Sequence, residues 1–263
     1  MAPRDYTRLF DLTGRKAIVT GGSRGIGRAL SEALAAQGAD VAIVVRSSVA
    51  LAEELAAELN AKGGDSFVIQ ADIAVEADVQ RMAEAVAARW GRVDILVNNA
   101  GIIIPGSAED YSLADWRTTM SVNLDGLFLV SREIGKMMIA QKGGSIINIG
   151  SMSGRIVNWP FRHAAYNVSK AGVHMMTKAF ATEWAEHNIR VNALAPGYIM
   201  TELTEDVLRE HPEVVADHWA KGAVMNRLGT VDELAGAVVY LASDAGSFTT
   251  GEVITVDGGL TLR

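Results

Sequence analysis

The chain has 263 residues, 49% of them hydrophobic and 21% charged, which gives enough apolar side chains for a sizeable core. Its 24 Lys and Arg against 31 Asp and Glu leave a net charge of −7, and this argues against a non-specific nucleic-acid surface, because phosphate binding needs a basic face. Cysteine is absent, which excludes a disulfide framework, a thiolate nucleophile and Cys-ligated zinc or iron–sulfur sites, whereas the 26 glycines are about 10% of the chain where about 7% is usual.

The opening MAPRDYTRLF carries Arg4, Asp5 and Arg8 and no apolar core, so no secretory signal is expected. No 18-residue uncharged apolar stretch follows, so no membrane partner is expected and the location is read as cytoplasmic. Nothing resembling a linker or a repeat divides residues 1–263, which read as one domain. Short β-branched runs at Ala17–Thr20, Val41–Val45, Phe67–Gln70, Ile95–Val97, Ile146–Ile149, Val191–Leu194 and Val253–Val256 are apolar on both faces, as buried parallel strands are. Between them lie amphipathic stretches. Ile26, Ala29, Leu30, Ala33 and Leu34 keep helical spacing up to Gly38; Ala50–Lys62 stops at Gly63-Gly64 and Glu76–Arg89 at Gly91. Longer helices are expected over Leu113–Gln141, Ala164–His187 and Asp232–Ser243. The alternation predicts an α/β fold, a doubly wound parallel sheet of seven strands with helices on both faces. Ligands bind such sheets beyond the carboxyl ends of the strands, at the switch point.

Thr20-Gly21-Gly22-Ser23-Arg24-Gly25-Ile26-Gly27 joins the first strand to the first helix. Glycines at 21, 25 and 27 permit a tight turn and close approach of backbone to a pyrophosphate at the helix N-terminus, so this loop predicts dinucleotide binding. No Gly-Lys-Ser/Thr follows, so it is not a nucleoside triphosphate loop. At the end of the second strand, where an acid would bond the ribose 2′-hydroxyl of NAD, stand Val45, Arg46, Ser47 and Ser48. Arg46, with Arg24 as a second cation, suits a 2′-phosphate, and NADP is favoured over NAD. The bland alternative is two solvated arginines.

Tyr166 and Lys170 stand at i, i+4 in Tyr166-Asn167-Val168-Ser169-Lys170, on one face of a helix. A nearby ammonium favours the phenolate, which would fit Tyr166 for general acid/base work, although a surface pair has the same spacing. Ser153 lies 13 residues earlier, past the strand Ile146–Ile149; Asn98-Asn99-Ala100-Gly101 ends the preceding strand, Asn123 falls in a long helix, and Pro196-Gly197 ends the strand after the Tyr166 helix.

In these motifs, in their order and spacing, the chain resembles the short-chain dehydrogenase/reductase family from about Leu12 to its C-terminus. The resemblance implies a Rossmann-type fold and NAD(P)-dependent interconversion of a secondary alcohol and a ketone. It implies Tyr166 as acid/base, Ser153 as hydrogen-bond partner of the substrate oxygen with Ser151 as rival, Lys170 on the nicotinamide ribose and depressing the Tyr166 pKa, and Asn123 as support for a proton-relay water. It implies Asp72 and Ile73 at the adenine, Asn99, Ala100 and Gly101 along the adenine ribose, and Pro196, Gly197, Ile199 and Thr201 at the nicotinamide. A homotetramer and a mobile lid over about 199–222 belong to the same implication.

Substrate identity must come from the irregular segments. Gly150-Ser151-Met152-Ser153-Gly154, Ile156-Val157-Asn158-x-Pro160 and Glu183-Trp184-Ala185 look most like the polyol/ketose branch of the family. Asn158, His163 and Glu202 are candidates to hydrogen-bond a chain of hydroxyls and Trp159 to wall the pocket, each with a packing or capping role as its alternative. A 3-oxoacyl thioester reductase is the second enzymatic reading and a non-catalytic dinucleotide sensor the third. The five histidines show no metal-ligand spacing, so no catalytic metal is expected.

Overall fold

The computed structural model describes residues 5–262. Seven strands form one parallel sheet in the order β3-β2-β1-β4-β5-β6-β7: β1 (Lys16–Thr20), β2 (Asp40–Val45), β3 (Phe67–Gln70), β4 (Ile95–Asn98), β5 (Gly144–Ile149), β6 (Ile189–Pro196) and β7 (Val253–Val256). Each matches its sequence-derived run to within two residues at either end. The chain winds outward from β1 to β3, then returns to pair β4 on the other side of β1, so the direction reverses between β1 and β4. Adjacent helices diverge there and leave a crevice.

Strand residues alternate between two apolar layers. Ala17 and Val19 pack with Leu30, Leu34, Leu55 and Val238 on one face, while Ile18 packs with Met82, Ile134 and Met138 on the other. The first layer is covered by α1 (Gly25–Ala36), α2 (Val49–Asn60) and α9 (Ala235–Ala242); the second by α3 (Glu76–Trp90), α5 (Gly126–Gln141) and α6 (Ala164–Trp184). Gly38, Gly63 and Gly91 follow the first three helices at φ of +95°, +97° and +69°, the left-handed conformation that ends a helix and that glycine adopts without strain.

The helix expected over Leu113–Gln141 is interrupted. It divides into α4 (Leu113–Met120), a wide π-type turn at Ser121–Asp125, and α5. One wide turn leaves the apolar spacing on either side nearly intact, so periodicity does not reveal it, yet such turns recur at functional sites and this one holds Asn123. The lid segment forms α7 (Glu202–Glu210), capped by Thr201, then the short α8 (Pro212–Val214) and a second wide turn, Val215–Ala220.

At the carboxyl end of the sheet, buried polar residues replace apolar ones. Asn98 and Asn148 are register partners on β4 and β5; the Asn98 amide donates to Asn148 Oδ1 and to Ser131 Oγ on α5, each at 2.9 Å, and the Asn148 amide donates to Thr177 Oγ1 on α6. These bonds fix α5 and α6 to the strand ends beneath the crevice. Ile146 is fully buried at the centre of the second layer. Ile146→Ala is expected to lower the free energy of unfolding by about 3 kcal/mol in urea titrations; a loss below about 1 kcal/mol would contradict its place in the core.

Candidate active site

A cleft of about 610 Å³ opens at the switch point. Its floor is the glycine loop between β1 and α1. Gly21 and Gly25 have φ of +64° and +50°. A side chain at Gly27 would overlap the carbonyl of Gly21, so this helix start can lie against the loop only as glycine. The loop is clamped from β4: Asn99 donates to the carbonyls of Thr20 and Gly21 at 3.0 and 3.1 Å, and Thr20 Oγ1 accepts from the amides of Asn99 and Ala100. Free N–H groups at the start of α1 then face the cleft, a setting that suits a pyrophosphate.

Of the residues expected to meet a dinucleotide, Gly21, Ser23, Arg24, Gly25, Ile26, Gly27, Arg46, Ser47, Asp72, Ile73, Asn99, Ala100, Gly101, Tyr166, Lys170, Pro196, Gly197 and Thr201 all line the cleft. Ile199 does not; it is 5% exposed and packs into the first apolar layer. Sequence reasoning passed over Ala71 and Val122, apolar walls whose place depends on strand register and on the wide turn; Val45, which it placed where an acid would stand, also lines the cleft. It also passed over Asp206, one helical turn beyond Glu202 on the lid. The Arg46 guanidinium is largely exposed and 4.0 Å from the Asp72 carboxylate, a weak surface pair that leaves it free to turn.

α6 carries Tyr166 and Lys170 into the inner end of the cleft, with Lys170 Nζ 5.6 Å from the Tyr166 ring centre. The ammonium is 5% exposed and donates to the carbonyl of Ile149 at 2.7 Å; burial lowers it to about 8. Burial also pushes the Tyr166 phenol up from its ordinary value, while the neighbouring Ser151 hydroxyl pulls it the other way. The depression of this phenol expected from Lys170 is therefore corrected, because removal from water disfavours the phenolate more than its neighbours favour it.

The serine is corrected too. Ser151 lines the cleft, whereas Ser153 is turned beneath it: Ser151 Oγ accepts from the Ser153 amide at 3.1 Å and donates to Ser153 Oγ at 3.0 Å. Counting 13 residues back from Tyr166 does not tell which serine faces the cleft, because the loop Arg155–His163 between β5 and α6 sets that spacing, and its length is not fixed by the fold. Asn123 lies outside the cleft wall. Its side chain accepts from the Ile102 amide at 2.8 Å and donates to the Ile102 carbonyl and to Ser169 Oγ, so it braces the loop after β4 against α6.

The proposed substrate residues separate. Glu202 lines the cleft from α7. Trp159, 69% exposed, does not wall it. Asn158 is buried and committed elsewhere, donating to Tyr198 Oη at 3.2 Å and accepting from Asn167 at 3.3 Å. His163 is buried outside the cleft and meets the Tyr166 ring edge-on, with ring centres 5.7 Å apart. Among the described residues no group of three or more His, Asp or Glu side chains is placed to hold a metal ion, and no helix is long and apolar enough to cross a membrane.

Residues 21–261 match the family model described as enoyl-(acyl carrier protein) reductase. Galactitol 2-dehydrogenase of Rhizobium johnstonii is 44% identical, with 97% of this chain and 98% of that protein aligned. A galactitol 2-dehydrogenase (L-tagatose-forming) of Cereibacter sphaeroides is 43% identical over 98% of this chain and 99% of its own. The crystal structure of a gluconate 5-dehydrogenase from Burkholderia cenocepacia, in complex with NADP and tartrate, superposes with a TM-score of 0.92 at 38% identity, covering 98% of this chain and all of that one. The cleft at the switch point, the glycine loop clamped by Asn99, the Tyr166–Lys170 pair and these matches agree: the chain is an oxidoreductase of the short-chain dehydrogenase/reductase family.

Proposed function

We propose that this enzyme interconverts a sugar alcohol and the corresponding ketose, with NADP preferred over NAD. The observation that carries the reading is the meeting of Tyr166, Ser151 and Lys170 at the inner end of a dinucleotide-sized cleft. Near full-length similarity to galactitol 2-dehydrogenases supports the substrate class. The 3-oxoacyl thioester reading wants a basic mouth for a carrier, and here the lid side of the mouth carries Glu202 and an Asp206 already paired with Arg209.

NADP, when bound, supplies the hydride acceptor for oxidation and the donor for reduction. The chain's residues handle the proton and the orientation. Ser151 Oγ holds the substrate oxygen and stabilises charge as it develops there. Tyr166 Oη takes the hydroxyl proton in oxidation and returns it in reduction. Lys170 holds the ribose hydroxyls and provides the positive charge that Tyr166 needs as it ionises. Asn123 keeps the loop at Ile102 and α6 in fixed relation, so that the cleft wall and the acid/base do not drift apart. At the far end Arg46, Ser47 and Arg24 would hold the 2′-phosphate. The same reading includes a cytoplasmic location and a homotetramer joined through α5 and α6, which expose Phe128 and Met175.

Assays with galactitol and other polyols, with NADP and NAD in parallel, test the reading, and no turnover of any polyol or ketose would overturn it. In the same assay Ser151→Ala is expected to lower kcat by about a hundredfold to a thousandfold, and Ser153→Ala by far less; the reverse order would return the role to Ser153. Arg46→Asp should shift the kcat/KM preference from NADP toward NAD, and an unchanged ratio would remove Arg46 from 2′ recognition. Tyr166 accepts the hydroxyl proton only as the phenolate, which the Lys170 charge supports, so kcat/KM for oxidation should stop rising with pH at about 8, where buried Lys170 deprotonates. A rise that continues unbroken well above 8 would contradict that role.

A further inference from the structure

α6 turns one face toward the end of β5. Tyr166, Lys170 and His174 stand on that face at i, i+4 and i+8. The first two carry the proposed chemistry; the third is a buried imidazole two turns from the acid/base. Lys170 Nζ donates to the carbonyl of Ile149, and His174 Nε2 accepts from the amide of Ser151 at 3.5 Å. The two bonds fall on either side of Gly150. The Ser151 amide has no other acceptor among the described residues, and a buried N–H left without one is costly. The imidazole is also wedged between the ends of the serine turn, 150–154. A Cβ at Gly150 would overlap His174 Nε2, and one at Gly154 would stand 2.8 Å from His174 Nδ1. The turn can close on this ring only because neither end of it carries a side chain.

From this we infer that His174 is a positioning residue: its ring and its Nε2 acceptor hold Ser151 so that Oγ stands beside Tyr166, where the substrate oxygen arrives. The inference rests on the role given to Ser151 above and goes beyond it, since the ring itself does not line the cleft. A backbone amide can only donate, so Nε2 carries the lone pair and the ring proton sits on Nδ1. Burial, with the charges of Arg155, Lys170 and Lys178 nearby, lowers the His174 pKa to about 4, so the ring is neutral and its acceptor intact at neutral pH. Ser151 Oγ bonds to Ser153, but those bonds lie within the turn. Two side chains of α6 tie the turn to the helix. Asn167 donates to the Ser153 carbonyl at 2.7 Å, and His174 takes the Ser151 amide. Only the second grips the backbone of the serine that faces the cleft. A hydroxyl that stabilises developing charge acts only when it is held in place.

A Gln side chain carries its amide near the place of Nε2 and an Asn near that of Nδ1. His174→Gln therefore keeps an acceptor for the Ser151 amide, and His174→Asn withdraws it while staying polar. For each, kcat is measured at saturating cofactor with the alcohol or ketone that the wild type turns over best. Sites are counted by cofactor titration, so a partly folded preparation does not imitate a loss. His174→Asn is expected to lower kcat about tenfold with the cofactor KM unchanged, and His174→Gln to recover most of that loss. The Asn substitution is then repeated in Ser151→Ala, where its effect should shrink to less than about twofold, because the group it positions is gone. If His174→Asn binds no cofactor, His174→Leu takes its place in both backgrounds. A loss that persists undiminished in Ser151→Ala, equal losses for Gln and Asn, or no loss for Asn overturns the inference. If Ser151→Ala alone leaves kcat nearly unchanged, the role of Ser151 fails and takes this inference with it; that failure is visible before His174 is touched.

Discussion

The interaction on which the site depends is the buried ammonium of Lys170. A charge withdrawn from water costs several kcal/mol unless it is bonded where it lies. Here its one protein partner is the carbonyl of Ile149 at the end of β5, and the resulting stress is recorded in its lowered pKa. To bring that long side chain under the strand end, α6 must run across the carboxyl edge of β5 at close range. One turn earlier on the same helix, Tyr166 is then carried over the inner end of the crevice. The spacing of four residues is thus more than a surface periodicity: one residue anchors the helix and the other is presented by it.

Such an anchor needs a rigid frame, and the sheet supplies one by an unusual substitution in its core. Asn98 and Asn148 occupy strand positions where apolar residues would pack, and their amides hold α5 and α6 to adjacent strands. Thr20 and Asn99 do the same for the glycine loop. Buried polar networks stabilise only when nearly every member is satisfied, and in return they fix one arrangement. The carboxyl edge of β1, β4 and β5 is therefore tied by side-chain hydrogen bonds to the loop and helices around it. The neighbouring wall differs, since Trp219 of the lid meets Tyr198 and Phe161 from outside it through ring contacts.

This division explains what could be read from the sequence. The glycine loop, Asn99 and the Tyr166–Lys170 pair are local patterns, each contained within one strand–turn–helix unit, and strand register brings them together without further information. Helix ends at Gly38, Gly63 and Gly91 were legible for the same reason, since the left-handed residue is itself the signal. The wide turn at Ser121–Asp125 was not, because one added residue per turn leaves the flanking apolar spacing in place. Ser151 was passed over for Ser153 because counting from Tyr166 crosses a loop, and loop length carries no geometry. The stacking of Trp219 on Tyr198, 21 positions earlier, was not legible either, because no periodicity links the two.

The two ends of the cleft consequently differ in how their specificity is built. At one end Arg46 and Ser47 follow the last residue of β2, and Arg46 is largely exposed, so its side chain can be exchanged without disturbing the frame. Beside the other end, Trp219 and His163 are buried within an aromatic cluster, and their positions depend on Tyr198, Phe161 and the Asn158–Asn167 bond together. A substitution there alters packing and polarity at once, and its effects on neighbouring residues will not add. The aromatic cluster is accordingly set by several packed residues at once, whereas the Arg46 end of the cleft is lined by exposed side chains that act singly.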